Sequence, residues 1–230
     1  MPNYVRTIIN LHGGNEDIKA VLELVKSDDN DFDFNKIIPM PESLNIEAST
    51  GAEIGLFAVI SNDFSMSFED VEKILDSNPA YKKFLYNGFI SFRELYEKKK
   101  KWWFDEEHSE FIKRDRDLGL MSKNNLDNFG YANWYGWCVD NWSTKWNSLD
   151  ASIETGNSVI VSFSTAWDCP YRILEKFAEI CEQNNVTFDG LYADEDMGSN
   201  TGKFDSETGI TPFNNMSSEA LNAYTTCWEE

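Results

Sequence analysis

The chain has 230 residues, of which 41% are hydrophobic and 6 are proline. This composition excludes a globally disordered protein, because so apolar a chain buries enough surface to offset its conformational entropy. The sequence has no run of about 18 apolar residues and no basic, apolar leader, which argues against a membrane span and a signal peptide. We therefore expect a folded protein of the cytoplasm that makes no membrane contacts.

Forty acidic and twenty basic side chains give a formal net charge of −20. Such a field repels phosphate backbones and anionic lipids and attracts basic surfaces, so direct nucleic-acid binding is disfavoured. The excess is uneven, because residues 185–230 carry nine acids and one base whereas residues 81–126 carry eight acids and eleven bases. Solubility alone would also explain a net negative charge.

The amino-terminal part of the chain predicts a strand followed by a helix. Residues 4–11 alternate in hydrophobicity, which is typical of a half-buried strand. A Gly-Gly turn ends this strand, and apolar residues at helical spacing follow Asn15. Residues 32–41 contain two prolines and predict a short extended segment and a loop.

The middle of the chain is predicted to be mainly helical. Ser67, followed by Glu69 and Asp70, forms a capping signature before a helix. A second helical pattern begins near Ser91. Residues 119–150 are rich in aromatic residues, Asn and Gly, and their periodicity assigns no element.

The carboxy-terminal part predicts a second strand–helix–strand unit. Residues 158–165 alternate as a strand, Pro170 marks the start of an amphipathic helix, and residues 186–193 form another strand. Residues 194–209 are rich in Gly and Asp and predict a turn or polar hairpin. A last helix is capped near Ser217.

Strand–helix–strand patterns near both ends predict an α+β fold. We expect a ferredoxin-like split β-α-β core, with a largely antiparallel sheet, helices on one face and a helical insertion. The core would be discontinuous in sequence, so residues 1–230 are interpreted as one elaborated domain with an insertion at about 65–120. Two domains with a boundary near residue 120 are the alternative.

The sequence offers two candidate general bases, His12 and His108. Neither lies in a pattern with a Ser or Cys nucleophile and a third, orienting group. His12 precedes the Gly-Gly turn and His108 lies in a charged run, so both are interpreted as surface residues. We expect no catalytic residue and no enzymatic activity, and an enzyme of a type that the sequence does not reveal is the alternative.

The cysteines form no CxxC pair, which favours reduced, packed thiols over a disulfide framework or a zinc site. They are Cys138, Cys169, Cys181 and Cys227. The acidic loop from Asp194 departs from the calcium-binding pattern, because Gly198 occupies the fifth position, where that pattern has a ligand. We expect no metal and no cofactor, although weak binding of a divalent cation by this loop stays open.

Residues 134–146 contain four of the eight tryptophans, at spacings of three and four residues. On a helix each pair shares one face, where indole rings form part of a core. The functional alternative is a recognition site in which indole faces stack on a ring or hold a cation. The candidate binding residues are Trp134, Trp137, Asn141, Trp142, Lys145 and Trp146.

A second candidate is an acidic surface for a basic partner, supplied by the carboxylates that follow the predicted strand at residues 186–193. The candidate acidic residues are Asp194, Glu195, Asp196, Asp205 and Glu207.

Four blocks of sequence carry a resemblance to a known family. They read MPNYVRTIINLHG, FNKIIPMPESL, GWCVDNWSTKWNS, and SFSTAWDCPYRILEKFAEI followed by LYADEDMG. Together they resemble the YubB ferredoxin-like family of plasmid- and phage-encoded proteins, which includes Api-like phage proteins. The resemblance implies a ferredoxin-like fold and an origin on a mobile element, and it implies no activity. The charged segment at about residues 94–117 departs from the common core and is interpreted as an insertion.

We therefore expect a non-enzymatic phage- or plasmid-encoded accessory protein that binds a host protein with a basic surface. A counter-defence inhibitor and an acidic mimic of nucleic acid are two forms of this hypothesis. The alternative is a module that binds or sequesters a small molecule or nucleotide with the tryptophan-rich block. A third option, single-stranded nucleic acid on the open face of the sheet, is disfavoured by the net charge.

Overall fold

The computed structural model describes residues 2–86 and 88–229. The chain divides into two units, the first made of residues up to Met40 and from Cys138 onward, and the second of Pro41–Trp137. The expectation of a single elaborated domain stays a prediction. In the part of the chain that the structure describes, every helix is too short or too polar to cross a membrane.

Among the described residues, the first unit contains one six-stranded sheet. The strands are β1 (Tyr4–His12), β2 (Leu149–Thr155), β3 (Val159–Ala166), β4 (Thr187–Asp194), β5 (Thr201–Asp205) and β6 (Gly209–Pro212). Their order across the sheet is β2-β3-β1-β4-β5-β6, and all neighbouring strands are antiparallel.

Helices occur in both units. They are α1 (Asn15–Val25), α2 (Phe34–Ile37), α3 (Thr50–Ile60), α4 (Phe68–Ser77), α5 (Pro79–Leu85), α6 (Phe92–Trp103), α7 (Ile112–Phe129), α8 (Trp134–Trp142), α9 (Tyr171–Gln183) and α10 (Ser218–Trp228). Short 3₁₀ turns are present at Glu42–Leu44 and Glu106–His108.

The first four strands follow the ferredoxin-like topology. The units β1-α1-β2 and β3-α9-β4 are both split, because β3 lies between β1 and β2, and β1 lies between β3 and β4. Strands β5 and β6 extend the sheet beyond β4. The predicted α+β fold with a largely antiparallel sheet is therefore confirmed.

An aromatic core covers the face of the sheet that packs against α9. Phe163 of β3 stacks on Phe32, with ring centroids 4.9 Å apart. Phe177 of α9 packs edge-on against Phe32 at 5.1 Å and stacks on Phe188 of β4 at 5.2 Å. The alternate residues of β1 that face this core are buried, namely Val5, Thr7, Ile9 and Leu11.

Helix α10 lies on the opposite face of the sheet. It contacts β4, β5 and β1, and its Thr226 and Cys227 line a cavity together with Arg6 and Ile8 of β1. These two β1 residues alternate with the core-facing ones, so they point away from α9. The sheet therefore has helical cover on both faces, so α10 adds a layer to the one helical face that the sequence predicts.

The caps confirm three helix starts that the sequence predicts. The hydroxyls of Ser67, Ser91 and Ser217 accept hydrogen bonds from the backbone N–H three residues later, at 3.3, 3.2 and 3.1 Å. Such a bond satisfies one of the N–H groups that a helix leaves unpaired at its start.

The segment predicted to be extended contains a helical turn, α2. Its start is stabilised by Asp33, whose side chain accepts hydrogen bonds from Asn35 N at 2.9 Å and Asn147 Nδ2 at 2.8 Å. The second of these partners is far away in sequence, so local pattern could not reveal the turn.

The second unit is helical, and α3 packs against α7 through two glycines. A Cβ built on Gly55 would lie 1.7 Å from the carbonyl oxygen of Asp115, and one built on Gly119 would lie 2.0 Å from the carbonyl carbon of Gly55. The two backbones are therefore in direct contact, and any larger residue at either position would force the helices apart.

We expect Gly55→Ala to destabilise the protein by about 3 kcal/mol, the upper end of overpacking costs, despite the better helix propensity of alanine. This corresponds to a fall in melting temperature of roughly 6–12 °C for a chain of this size. Thermal unfolding followed by circular dichroism measures the effect. Gly136→Ala is the matched control, since the nearest atom to its Cβ lies 3.6 Å away on Tyr131. Equal melting temperatures for the two variants would contradict the close helix contact.

Candidate functional site

Two of the candidate tryptophans are buried. Trp137 is 7% exposed and Trp142 is 3% exposed. The indole Nε1 of Trp142 donates a hydrogen bond to the carbonyl oxygen of Ile38 at 2.9 Å, and its ring packs edge-on against Phe34 at 5.8 Å. Both side chains therefore stabilise the packing around α8 and offer little surface to a ligand.

A cationic cluster forms further along the block. The ammonium group of Lys145 lies 4.4 Å from the ring centroid of Trp146 and 5.2 Å from that of Trp167. Trp167, which directly follows β3, is 41% exposed. The indole faces attract the ammonium group electrostatically. The structure thus brings Lys145 and Trp146 together and adds Trp167, which the sequence analysis did not single out.

The remaining candidates of this block lie on α8. Trp134 is partly buried and packs edge-on against Tyr135 at 5.7 Å. Asn141 is also partly buried, on α8. Of the six candidate residues, two are buried and four are partly buried.

The candidate acidic residues fall at the two ends of the β4–β5 pair. The strand register places Ala193, beside Asp194, opposite Thr201, and places Asp189 opposite Asp205. Asp194, Glu195 and Asp196 therefore lie at one end of β5, and Asp205 and Glu207 lie at the other end. The five carboxylates do not form one patch.

Asp194 has a structural environment. It is 4% exposed, and its Oδ1 accepts a hydrogen bond from Asp196 N at 2.8 Å. Burial raises the pKa of this carboxyl, and the neighbouring acids Glu195 and Asp196 add to the effect. Asp194 thus shapes the turn between β4 and β5.

Asp205 organises the turn between β5 and β6. Its Oδ1 accepts hydrogen bonds from Glu207 N at 2.9 Å and Thr208 N at 2.6 Å, and its Oδ2 accepts one from the Thr208 hydroxyl. The bonds from Thr208 are the main cause that lowers the pKa of Asp205. The turn therefore holds an ionised carboxylate at this end of the hairpin.

This carboxylate forms part of a groove of about 610 Å³ between α9 and the β5–β6 hairpin. Glu175 of α9 and Glu207 of the turn line it as exposed residues, and Asp205 lines it as a partly buried one. No Lys or Arg lines the groove among the described residues. The apolar and aromatic residues that line it are Tyr171, Leu174, Ala178, Phe188, Phe204, Ile210 and Pro212.

The histidines are engaged in local contacts. His12 Nε2 lies 2.5 Å from Asp189 Oδ2, and the other oxygen of this carboxylate accepts a bond from Asn10 Nδ2 at 3.1 Å. His108 stacks on Trp102 with ring centroids 4.4 Å apart. In residues 2–86 and 88–229, no group of three or more His, Cys, Asp or Glu side chains has a metal-binding arrangement.

All four cysteines are buried, and none forms a disulfide within the described chain. Burial raises the pKa of Cys138, Cys181 and Cys227 to about 12, and raises that of Cys169 as well. Thiolate is the reactive form of cysteine, so these side chains are poor nucleophiles.

The shifted carboxyl of Asp194 predicts a pH-dependent effect on stability. Its folded-state pKa is raised above the unfolded value of about 3.9, so between the two values the folded protein binds more protons. Above this pH window, the ionised carboxylate of Asp194 therefore lowers the free energy of unfolding. We expect Asp194→Asn to melt at a higher temperature than the parent protein at neutral pH, with the difference shrinking as the pH falls through the window.

Asp205→Asn is the control with the opposite sign. The folded-state pKa of Asp205 is lowered, so its ionised form stabilises the fold above the unfolded value and this contribution is lost as the pH falls. We expect a lower melting temperature at neutral pH and no difference at strongly acidic pH. Thermal melts over a pH series measure both variants, and the same sign for the two at neutral pH would refute the assignment.

Comparisons with known proteins bear on the fold. A family model described as "Ferredoxin-like domain in Api92-like protein" matches residues 141–226. The crystal structure of a protein api92 from Yersinia pseudotuberculosis superposes with a TM-score of 0.39 at 8% sequence identity, covering 93% of this chain and 99% of that one. A search of curated proteins found no match. The carboxy-terminal part of this chain is thus similar to the ferredoxin-like domain of Api92-like proteins.

Proposed function

We propose that this protein is a non-enzymatic binding protein that holds a basic segment of a partner protein in the groove between α9 and the β5–β6 hairpin. The observation that carries the proposal is the composition of this groove, which combines three carboxylates with an apolar lining. Its volume of about 610 Å³ falls within the range of about 300–1,000 Å³ that is usual for ligand sites.

The charge of the groove identifies the chemistry of the occupant. Carboxylates from two different elements, Glu175 of α9 and Glu207 of the hairpin turn, face it without a cation among its lining residues. A segment with lysine or arginine side chains complements these carboxylates, and alternate apolar side chains complement the lining. The net charge of −20 would also speed encounter with a basic partner.

The partner is proposed to be a host protein, and the chain to be the product of a phage or plasmid. This step rests on the sequence resemblance to mobile-element proteins and on the net acidity. The form of this proposal that agrees best with the resemblance and with the net acidity is a counter-defence inhibitor. In this form, carboxylates of the protein occupy the place of nucleic-acid phosphates on the host protein. Such a protein acts in the host cytoplasm.

A second candidate function is supported by the cluster of Lys145, Trp146 and Trp167. A cation next to partly exposed indole rings offers charge and stacking to an anionic ring compound such as a nucleotide. We expect Trp167→Ala to abolish any nucleotide-induced change in tryptophan emission or melting temperature. No change in the parent protein across a panel of nucleotides would eliminate this candidate.

The groove is tested with two labelled peptides, one in which lysine alternates with valine and a matched one in which glutamate replaces lysine. We expect the lysine peptide to bind and the glutamate peptide not to bind, with affinity falling as ionic strength rises. The double substitution Glu175→Gln and Glu207→Gln should weaken binding roughly tenfold, since each exposed ion pair contributes up to about 1 kcal/mol. Fluorescence anisotropy measures these affinities.

The charge-matched control is Glu23→Gln with Glu72→Gln, two exposed glutamates outside the groove. It changes the net charge by the same amount and is expected to leave the affinity within about twofold. Equal weakening by both double variants would mean that diffuse charge, and not the groove, attracts the peptide. Absence of binding by the lysine peptide at low salt would overturn the proposal.

A further inference from the structure

A second cavity, of about 220 Å³, lies between α10 and the face of the sheet opposite to α9. Its apolar lining comes from three neighbouring strands, with Ile8 on β1, Ile160 on β3 and Leu191 on β4. The other residues that line it are Arg6, Asn10, Glu154, Ser162, Thr226 and Cys227. The cavity is separate from the acidic groove and shares no lining residue with it.

Arg6 is the cation of this cavity. Its Nη2 donates a hydrogen bond to Ser162 Oγ at 3.0 Å, and Ser162 Oγ also lies 3.0 Å from Ser152 Oγ. Arg6 is partly buried, and Ser162 is 7% exposed. Among the described residues, no carboxylate forms an ion pair with Arg6, although the chain has twice as many acids as bases.

A guanidinium group has five N–H donors in a planar fork. The hydrogen bond to Ser162 uses one of them, so the group keeps donors for another partner. Because its surroundings are partly desolvated, a carboxylate that accepts two parallel hydrogen bonds would be held more strongly there than at an open surface. The cavity therefore has the means to bind an anionic group at Arg6.

The other end of the cavity carries the opposite charge. The register aligns Asn10, Ile160 and Glu154 in one row across three strands. The Arg6 guanidinium bonds Ser162, whose hydroxyl lies against that of Ser152, and Ser152 precedes Glu154 by two residues on β2, which is roughly 7 Å along a strand. Glu154 thus lies at the other end of the cavity from the guanidinium, and its carboxylate disfavours a second negative charge at that end.

We propose that this cavity binds a small zwitterion with an extended apolar middle. Its carboxylate pairs with the guanidinium of Arg6, its alkyl chain covers Ile8 and Ile160, and its ammonium group points toward Glu154. This site is independent of the acidic groove, so either proposal can be refuted while the other stands.

The proposal is tested with four probes of similar length, namely aminocaproate, caproate, hexylamine and adipate. Amide chemical shifts of the whole protein, followed by NMR during titration, report both affinity and location. We expect aminocaproate to bind most tightly, with a Kd of about 1 mM for so small a ligand. Caproate should bind more weakly than aminocaproate. Adipate should bind more weakly than caproate, because the carboxylate of Glu154 repels its second negative charge. Hexylamine should be the weakest. The shifts should map to β1, β3 and α10.

Two charge variants separate the ends of the cavity. Arg6→Gln should weaken aminocaproate about tenfold, as expected for loss of a hydrogen bond to a charged group. Glu154→Gln should remove the difference in affinity between adipate and caproate. A third variant, Thr226→Phe, alters an exposed helix residue and fills the cavity, so it should abolish binding of every probe even if Arg6→Gln does not fold.

Three results would overturn the proposal. The first is that hexylamine binds the parent protein as tightly as caproate does, and this comparison requires no variant. Another is unchanged aminocaproate affinity in a folded Arg6→Gln protein or in Thr226→Phe. The last is no localised shift on β1, β3 or α10 with any probe up to about 10 mM, well above the expected Kd.

Discussion

The sheet depends on β1, which pairs along its whole length with strands on both sides. Tyr4 pairs with Ala166 and Leu11 with Val159 on β3, and Val5 pairs with Asp194 on β4. These pairings join residues more than 140 positions apart, so the chain must lose considerable loop entropy to form them. One face of β1 holds the aromatic core, and the other lines the cavity beneath α10. The aromatic core and the cavity beneath α10 therefore depend on the same strand.

The fold could be predicted from the sequence where an element carries its own local signal, such as alternating hydrophobicity or a capping residue. The alternation along β1 and β3 and the serine caps of α4, α6 and α10 indicate their elements directly. Helix α3 is different, because it is buried around most of its circumference and so lacks the polar face that marks an amphipathic helix. The turn α2 depends on Asn147, and the crossing of α3 and α7 depends on two distant glycines. No local pattern contains such information.

The candidate sites show the same limit. Lys145 and Trp146 are adjacent in the sequence, but Trp167 joins them only because the fold returns the chain to this point. Likewise, five carboxylates close in sequence separate into Asp194, Glu195 and Asp196 at one end of β5, and Asp205 and Glu207 at the other end. Composition predicts how much negative charge the molecule carries, whereas the strand register decides where that charge faces a partner.

The position of β1 in the sheet also has a consequence for synthesis. Its two partner strands begin at Val159 and Thr187, so the first strand leaves the ribosome long before either exists. At translation rates of about 5–20 residues per second, the delay before β3 appears is roughly 7–30 s. During that interval the apolar side of the nascent β1 has no strand to pair with, which makes the unfinished chain a natural client for ribosome-associated chaperones.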